Sequence, residues 1–150
     1  MGNALFYHLT RSTPERLLPL LLGKAMAAGW RVELRGRGAE RLARLDEALW
    51  MGDGFLPHGL AGGAHDARQP VLLRDAEAPP AANAPTCLMA VDGADIVGDE
   101  AMQLERVCII FDGNDPSAVE RAREQWRSLT AQNVTAEYWS EAGGRWERKR

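Results

Sequence analysis

Apolar residues in this chain follow two rhythms, compact runs and three-to-four-residue spacings, and the order in which these alternate predicts the fold. Residues 4–8 are dense in aromatic and apolar side chains and predict a first strand. Thr13 is placed to cap a helix, Pro14 suits its first position and Glu15 its first turn. The helix runs to Gly29 through Leu17, Leu18, Leu20, Leu21, Leu22, Ala25 and Met26, and so many apolar residues imply burial on more than one side. Residues 30–34 alternate and predict a second strand. Residues 38–50 predict a second helix, with Leu42, Leu45, Ala48 and Leu49 at helical spacing.

Residues 51–70 read as loop, and 69–73 as a short third strand. Pro79, Pro80 and Pro85 forbid regular structure across 75–85, which reads as an exposed connector. Residues 86–91 and 105–111 predict two more strands, the second a near-continuous apolar run suited to a sheet covered on both faces. Asp115 and Pro116 open a third helix that extends to about Gln132. A last strand follows at 135–140, and the basic segment 143–150 is expected to be loose. Strands alternating with helices predict one α/β domain over residues 1–150, a Rossmann-like sandwich with a largely parallel, or mixed, twisted sheet flanked by helices. Neither side of the 75–85 connector carries a complete core, so it is a loop within that domain.

A chain of 150 residues buries about two-thirds of its unfolded surface, enough for a core without metals or disulfides. The net charge of -3 argues against tight nonspecific duplex binding, which needs a dense basic footprint. Cys87 and Cys108 lie inside apolar runs and read as reduced core thiols. The N-terminus lacks the charged and apolar regions of a signal peptide. No run approaches the roughly 18 apolar residues of a membrane span, so a cytoplasmic protein without membrane contact is expected.

Catalytic signals are sparse. Gly36-Arg37-Gly38 follows a strand and opens a helix as a dinucleotide site would, but Arg41 stands where the third glycine of that fingerprint belongs. A tight turn with a solvated Arg37 is the alternative. Lys24 and Lys149 are the only lysines, and neither belongs to a phosphate-binding loop. His8, His58 and His65 have no ligand-like spacing, so no metal and no cofactor are expected. His58 reads as a structural imidazole bonding loop backbone, with a rim contact at a binding site as the other option. Asp92 with Asp95, and Asp112 with Asp115, read as turn and cap residues. In the third predicted helix, Val119, Ala122, Trp126 and Leu129 share one apolar face, while Arg123 and Arg127 lie one turn apart on an adjacent face. That pair reads either as a solvated stripe matched to Glu120 and Glu124, or as an anion-binding pair beside an aromatic, suited to a peptide carboxylate with an apolar side chain next to it.

Three blocks, in order, resemble the chi subunit family of bacterial DNA polymerase III holoenzyme. They are Asn3-Ala-Leu-Phe-Tyr7; Leu45-Asp-Glu-Ala-Leu-Trp50 with Phe55-Leu-Pro-His-Gly-Leu-Ala-Gly62 and Pro70-Val71; and Phe111-Asp-Gly-Asn-Asp115 with Ala122-Arg-Glu-Gln-Trp-Arg127. The resemblance implies a non-catalytic accessory subunit without an active site of its own, acting as a monomer within a larger assembly. It implies a bridge between the psi subunit of the clamp-loader complex and the acidic, phenylalanine-ended C-terminal tail of the single-stranded DNA-binding protein, with DNA engaged only indirectly. It assigns the tail site to Arg123, Trp126 and Arg127, with Phe55, Leu56 and His58 contributing from the central loop. Where relatives can carry a further basic residue, this chain has Thr130. Two other readings remain open. One is a direct single-strand binder using Trp126, Trp139 and the basic tail, and the other is a nucleotide-dependent enzyme on a Rossmann-like scaffold.

Overall fold

The computed structural model describes residues 2–52 and 56–150. Its elements, in chain order, are β1 (Asn3–Leu9), α1 (Pro14–Ala27), β2 (Val32–Gly36), α2 (Ala39–Trp50), β3 (Gly59–Leu60), β4 (Val71–Asp75), β5 (Cys87–Val91), α3 (Gly98–Gln103), β6 (Arg106–Asp112), α4 (Pro116–Ala131), β7 (Thr135–Ser140) and β8 (Glu147–Arg148), with a 3-10 turn at Asp66–Arg68. The strands form one sheet in the order β3-β4-β2-β5-β6-β1-β7-β8. Every pairing is parallel except that of β8 with β7. This is the α/β architecture expected from the alternation of strands and helices.

Side chains alternate across the sheet and create two cores. Leu9, Cys108 and Ile110 face one side, where Leu18, Leu22, Leu45 and Leu49 of α1 and α2 cover them. Ala4, Phe6, Val107, Ile109 and Phe111 face the other, where Ala101, Ala122 and Leu129 of α3 and α4 pack. The near-continuous apolar runs in β5 and β6 follow from this double coverage. Cys87 and Cys108 are buried and free.

Three local expectations, over 75–85, 51–70 and 143–150, need correction. In β2 the polar positions of the alternating segment are themselves buried, at Glu33 and Arg35. Arg35 Nε donates to Glu33 at 2.7 Å, and its two terminal nitrogens donate to Glu100 at 2.9 and 2.7 Å. Arg74 donates to the same Glu33 oxygen at 2.9 Å and to the carbonyl of Pro79 at 2.7 Å. The cover comes from α3 and the 76–80 segment, and α3 itself was not anticipated because it has no apolar repeat. Glu100 marks its start by accepting from the Val97 N–H at 2.9 Å. The 75–85 connector is not wholly exposed, since Asn83 is buried and donates to the carbonyls of Val32 and Gln69, both at 3.0 Å.

The loop predicted over 51–70 contains the two-residue strand β3. The tail over 143–150 is not loose: β8 pairs with β7, and Lys149 N–H donates to the Tyr138 carbonyl at 2.6 Å. An edge strand offers unpaired backbone groups, and the tail satisfies those of β7.

Glu33 is shared by two buried guanidinium groups, of which only Arg35 has a second carboxylate in Glu100, so Glu33→Gln is expected to destabilise the fold by about 3–5 kcal/mol, read as a lowered urea midpoint. A loss below about 1 kcal/mol would mean that water or neighbouring carbonyls already satisfy Arg35 and Arg74.

Candidate partner-binding surface

The candidate surface is built on α4. Asp115 caps the helix, accepting from Ser117 N–H at 3.0 Å. Its inward face is Ala122, Gln125 and Leu129, with Gln125 donating to the Ala94 carbonyl at 3.0 Å. Trp126 sits at the edge of that face, half-buried, against Phe6 at 5.2 Å and Tyr138 at 6.2 Å between ring centroids. Tyr138 in turn meets the His8 imidazole. The Arg150 guanidinium lies 5.4 Å above the Trp126 ring, brought there by the β7–β8 pairing.

Arg123 and Arg127 project outward, each with about 66% of its side chain exposed. Both approach Glu120, at 3.8 and 3.4 Å, while Glu124 turns to Arg121 at 3.7 Å. One carboxylate shared between two cations leaves the cluster with net positive charge. Pairs this long and exposed are weak and yield easily to a better anion. Burial raises the Tyr138 phenol above its ordinary value against the opposing pull of the Arg123 charge. The structure brings Arg123, Trp126 and Arg127 together on α4 and sets Tyr138 and Arg150 beside them. The last two were overlooked because Tyr138 shares a face with Phe6 only in the parallel register, and the tail was taken as unpaired.

Among the described residues of the central loop, Leu56 and His58 do not join this surface. His58 is buried, with Nδ1 2.7 Å from the Leu56 carbonyl and Nε2 3.1 Å from that of Asp46. Its ring lies 4.2 Å from that of Trp50. Leu56 packs on the core under α1 and α2, across the sheet from α4. The geometry gives His58 the structural role of tying the loop to α2. Phe55 lies outside the described residues.

A cleft of about 840 Å³ opens at the carboxyl ends of β1 and β6, where the following helices leave on opposite faces of the sheet. Open α/β sheets bind ligands at such switch points. Here the chain's own carboxylates occupy the donors. The N–H groups of Thr10, Arg11 and Ser12 donate to one oxygen of buried Glu141 at 3.1, 3.0 and 2.7 Å, and the Ser12 hydroxyl donates to the other at 2.7 Å. Gly38 N–H, at the start of α2, donates to Asp75 at 3.2 Å. Arg41 joins Glu15 at 2.8 Å to Asp92 at 2.9 Å. Gly113 at the β6–α4 turn is obligatory, because a Cβ there would lie 1.8 Å from the His8 ring.

The matched family is described as DNA polymerase III chi subunit, HolC, and the match covers residues 1–137. The chain belongs to this chi subunit family. No curated protein matches it in a search of whole sequences. As a chi-family chain it is an accessory subunit of DNA polymerase III. The match takes in α4 with Arg123, Trp126 and Arg127 and stops just before Tyr138, so the tail that brings Arg150 over Trp126 lies beyond it.

The Glu141 contact titrates. Burial alone would raise this carboxyl, but the bonds from Ser12, Arg11 and Thr10 outweigh burial and hold it below the ordinary glutamate value. A carboxyl lowered in the folded state stabilises the fold above the unfolded value of about 4.3, and that contribution fades as pH falls through the lower folded value. Glu141→Gln is therefore expected to cost about 1.5–3 kcal/mol at pH 7. In paired urea titrations the gap between wild type and variant should narrow steadily below about pH 4.3. A gap that does not change with pH would show that the charge of Glu141 contributes nothing.

Proposed function

We propose that the protein is a non-catalytic bridge within the polymerase III assembly. In this reading, α4 takes the acidic, phenylalanine-ended tail of the single-stranded DNA-binding protein, and a separate surface joins the psi subunit of the clamp loader. It acts in the cytoplasm as a monomer inside that assembly. The observation that carries the reading is the exposed Arg123/Arg127 pair beside Trp126 on a chain of the chi family. Two guanidinium groups one turn apart suit the tail's carboxylates, and the Trp126–Tyr138 edge suits its terminal ring once Arg150 swings aside. Arg150 then supplies the third cation that Thr130 does not.

Burying the terminal ring contributes roughly 1.5–3 kcal/mol, and each charge-assisted hydrogen bond about the same. After association costs, affinity of micromolar order follows, near -8 kcal/mol. Several tails on one coated strand raise the apparent affinity further.

The other two readings fit less well. Glu141 and Asp75 fill the backbone donors that a nucleotide phosphate would need. A single-strand binder would stack bases on neighbouring rings, but Trp126 faces α4's side of the sheet while Trp139 faces α1's.

A fluorescein-labelled peptide ending Asp-Asp-Phe tests the site by anisotropy. Arg123→Glu with Arg127→Glu is expected to weaken binding by about tenfold or more with an unchanged thermal midpoint. Glu120→Ala, which frees both arginines, should tighten it about twofold to fivefold. Equal affinity in all three proteins would remove α4 as the tail site.

A further inference from the structure

A second cleft, of about 400 Å³, lies on the opposite face, between the outer flank of α1 and strands β1, β6 and β7. Leu20 and Lys24 of α1, Trp30, Arg106, Trp139 and Trp146 line it. Trp146 meets the Tyr7 ring edge-on at 5.5 Å and so belongs to the cleft wall rather than to a free tail.

Two features mark this cleft as unfinished. The first is α1 itself. Leu18 and Leu22 are fully buried in the core, while Leu17 and Leu21 turn toward the cleft and Leu20 remains 65% exposed. Along the spacing 17, 20, 21, 24, 28, Leu17 and Leu21 are buried in the core at the cleft floor, while Leu20 is left exposed at its rim beside Lys24.

The second feature is Arg106. Its guanidinium lies 5.2 Å over the Trp30 ring, its Nε is shielded from solvent without a hydrogen-bond acceptor, and it forms no ion pair among the described residues. Lys24 also lacks a carboxylate partner among them. Glu137, on the neighbouring strand β7, is already engaged by the Trp139 N–H at 3.1 Å and by Arg148 at 3.8 Å. A shielded donor left unpaired is costly, and stacking on an indole offsets only part of that cost.

We propose that this cleft is a docking groove for an amphipathic helix of a partner protein, one that carries acidic residues beside its apolar stripe. The partner's leucine-sized side chains lie against Leu20, Trp30, Trp139 and Trp146, and its carboxylates meet Arg106 and Lys24. Charge complementarity selects this occupant, because an apolar groove edged by two unpaired cations repels a basic segment and leaves a neutral one with the Arg106 donor unsatisfied. The groove stands apart from α4, so neither proposal depends on the other.

The probe is the blocked peptide acetyl-Glu-Leu-Leu-Glu-Glu-Leu-Leu-Glu-Glu-Leu-Leu-Glu-amide, which has no free terminal carboxylate. It is titrated into the full chain while the indole N–H signals of the five tryptophans are followed by NMR. Shifts are expected at Trp30, Trp139 and Trp146 and not at Trp126. Arg106→Gln, and replacement of every Glu in the peptide by Gln, should each weaken binding about tenfold. Leu20→Asp, at an exposed position, should abolish binding with an unchanged thermal midpoint, which keeps the test decisive if Arg106→Gln disturbs folding. Arg123→Glu should leave binding as it was. Absence of shifts at millimolar peptide, shifts at Trp126 instead, or indifference to both Arg106→Gln and Leu20→Asp would overturn the proposal. So would sedimentation showing that the wild type self-associates through the groove and that Leu20→Asp makes it monomeric.

Discussion

A parallel sheet must be shielded from water on both faces, and four helices are too few to shield both faces of eight strands. Most of the chain's distinctive features answer that shortage. On the face shared by α3 and α4, helical cover thins over β2 and β4, and the gap is closed by Glu33, Arg35, Arg74 and Glu100 bonded to one another. On the opposite face, α1 and α2 thin out over β1, β6 and β7, and Tyr7, Trp139 and Trp146 take their place. One gap is filled with balanced charge and is complete. The other is filled with indoles beside Arg106, which has no ion-pair partner among the described residues, and is the groove proposed for a partner.

The carboxyl edge of the sheet shows a different economy. In ligand-binding members of this architecture, the loop after a strand offers its N–H groups to a phosphate. Here the loop after β1 closes on Glu141, the start of α2 closes on Asp75, and α4 closes on its own Asp115. The bonds to Glu141 anchor the segment after β7 to the loop after β1 and so help to hold the chain's last strands on the sheet. The scaffold retains the crevice of a nucleotide-binding fold and spends its donors internally, while the proposed partner site lies on the outer surface of α4. Fold and function separate here because the site depends on which loops keep free donors rather than on strand order.

Much of this was readable along the chain. Apolar runs and helical spacing identified β1, α1, α2, β6, α4 and β7 because both periodicities reflect local geometry. Asp115 and Pro116 marked the start of α4 because capping is also local. The family resemblance, together with the spacing of Arg123 and Arg127, singled out α4 before any coordinates. Helix α3 was not readable because its six residues carry no apolar repeat, and the burial of Glu33 and Arg35 and the place of His58 were not readable because each depends on a segment distant in sequence.

The sequence by itself determined the α/β class, the positions of the main strands and helices, the chi-family resemblance and the arginine pair, all of which depend on periodicity or on a few neighbouring residues. Only the tertiary structure decided which of those features share a surface. It moved Leu56 and His58 across the sheet from α4, placed Tyr138 and Arg150 against Trp126, and divided the tryptophans between two faces. The reason is strand order: β7 lies beside β1 and β4 beside β2, with β5 and β6 between the two pairs, and no local pattern records which strands become neighbours.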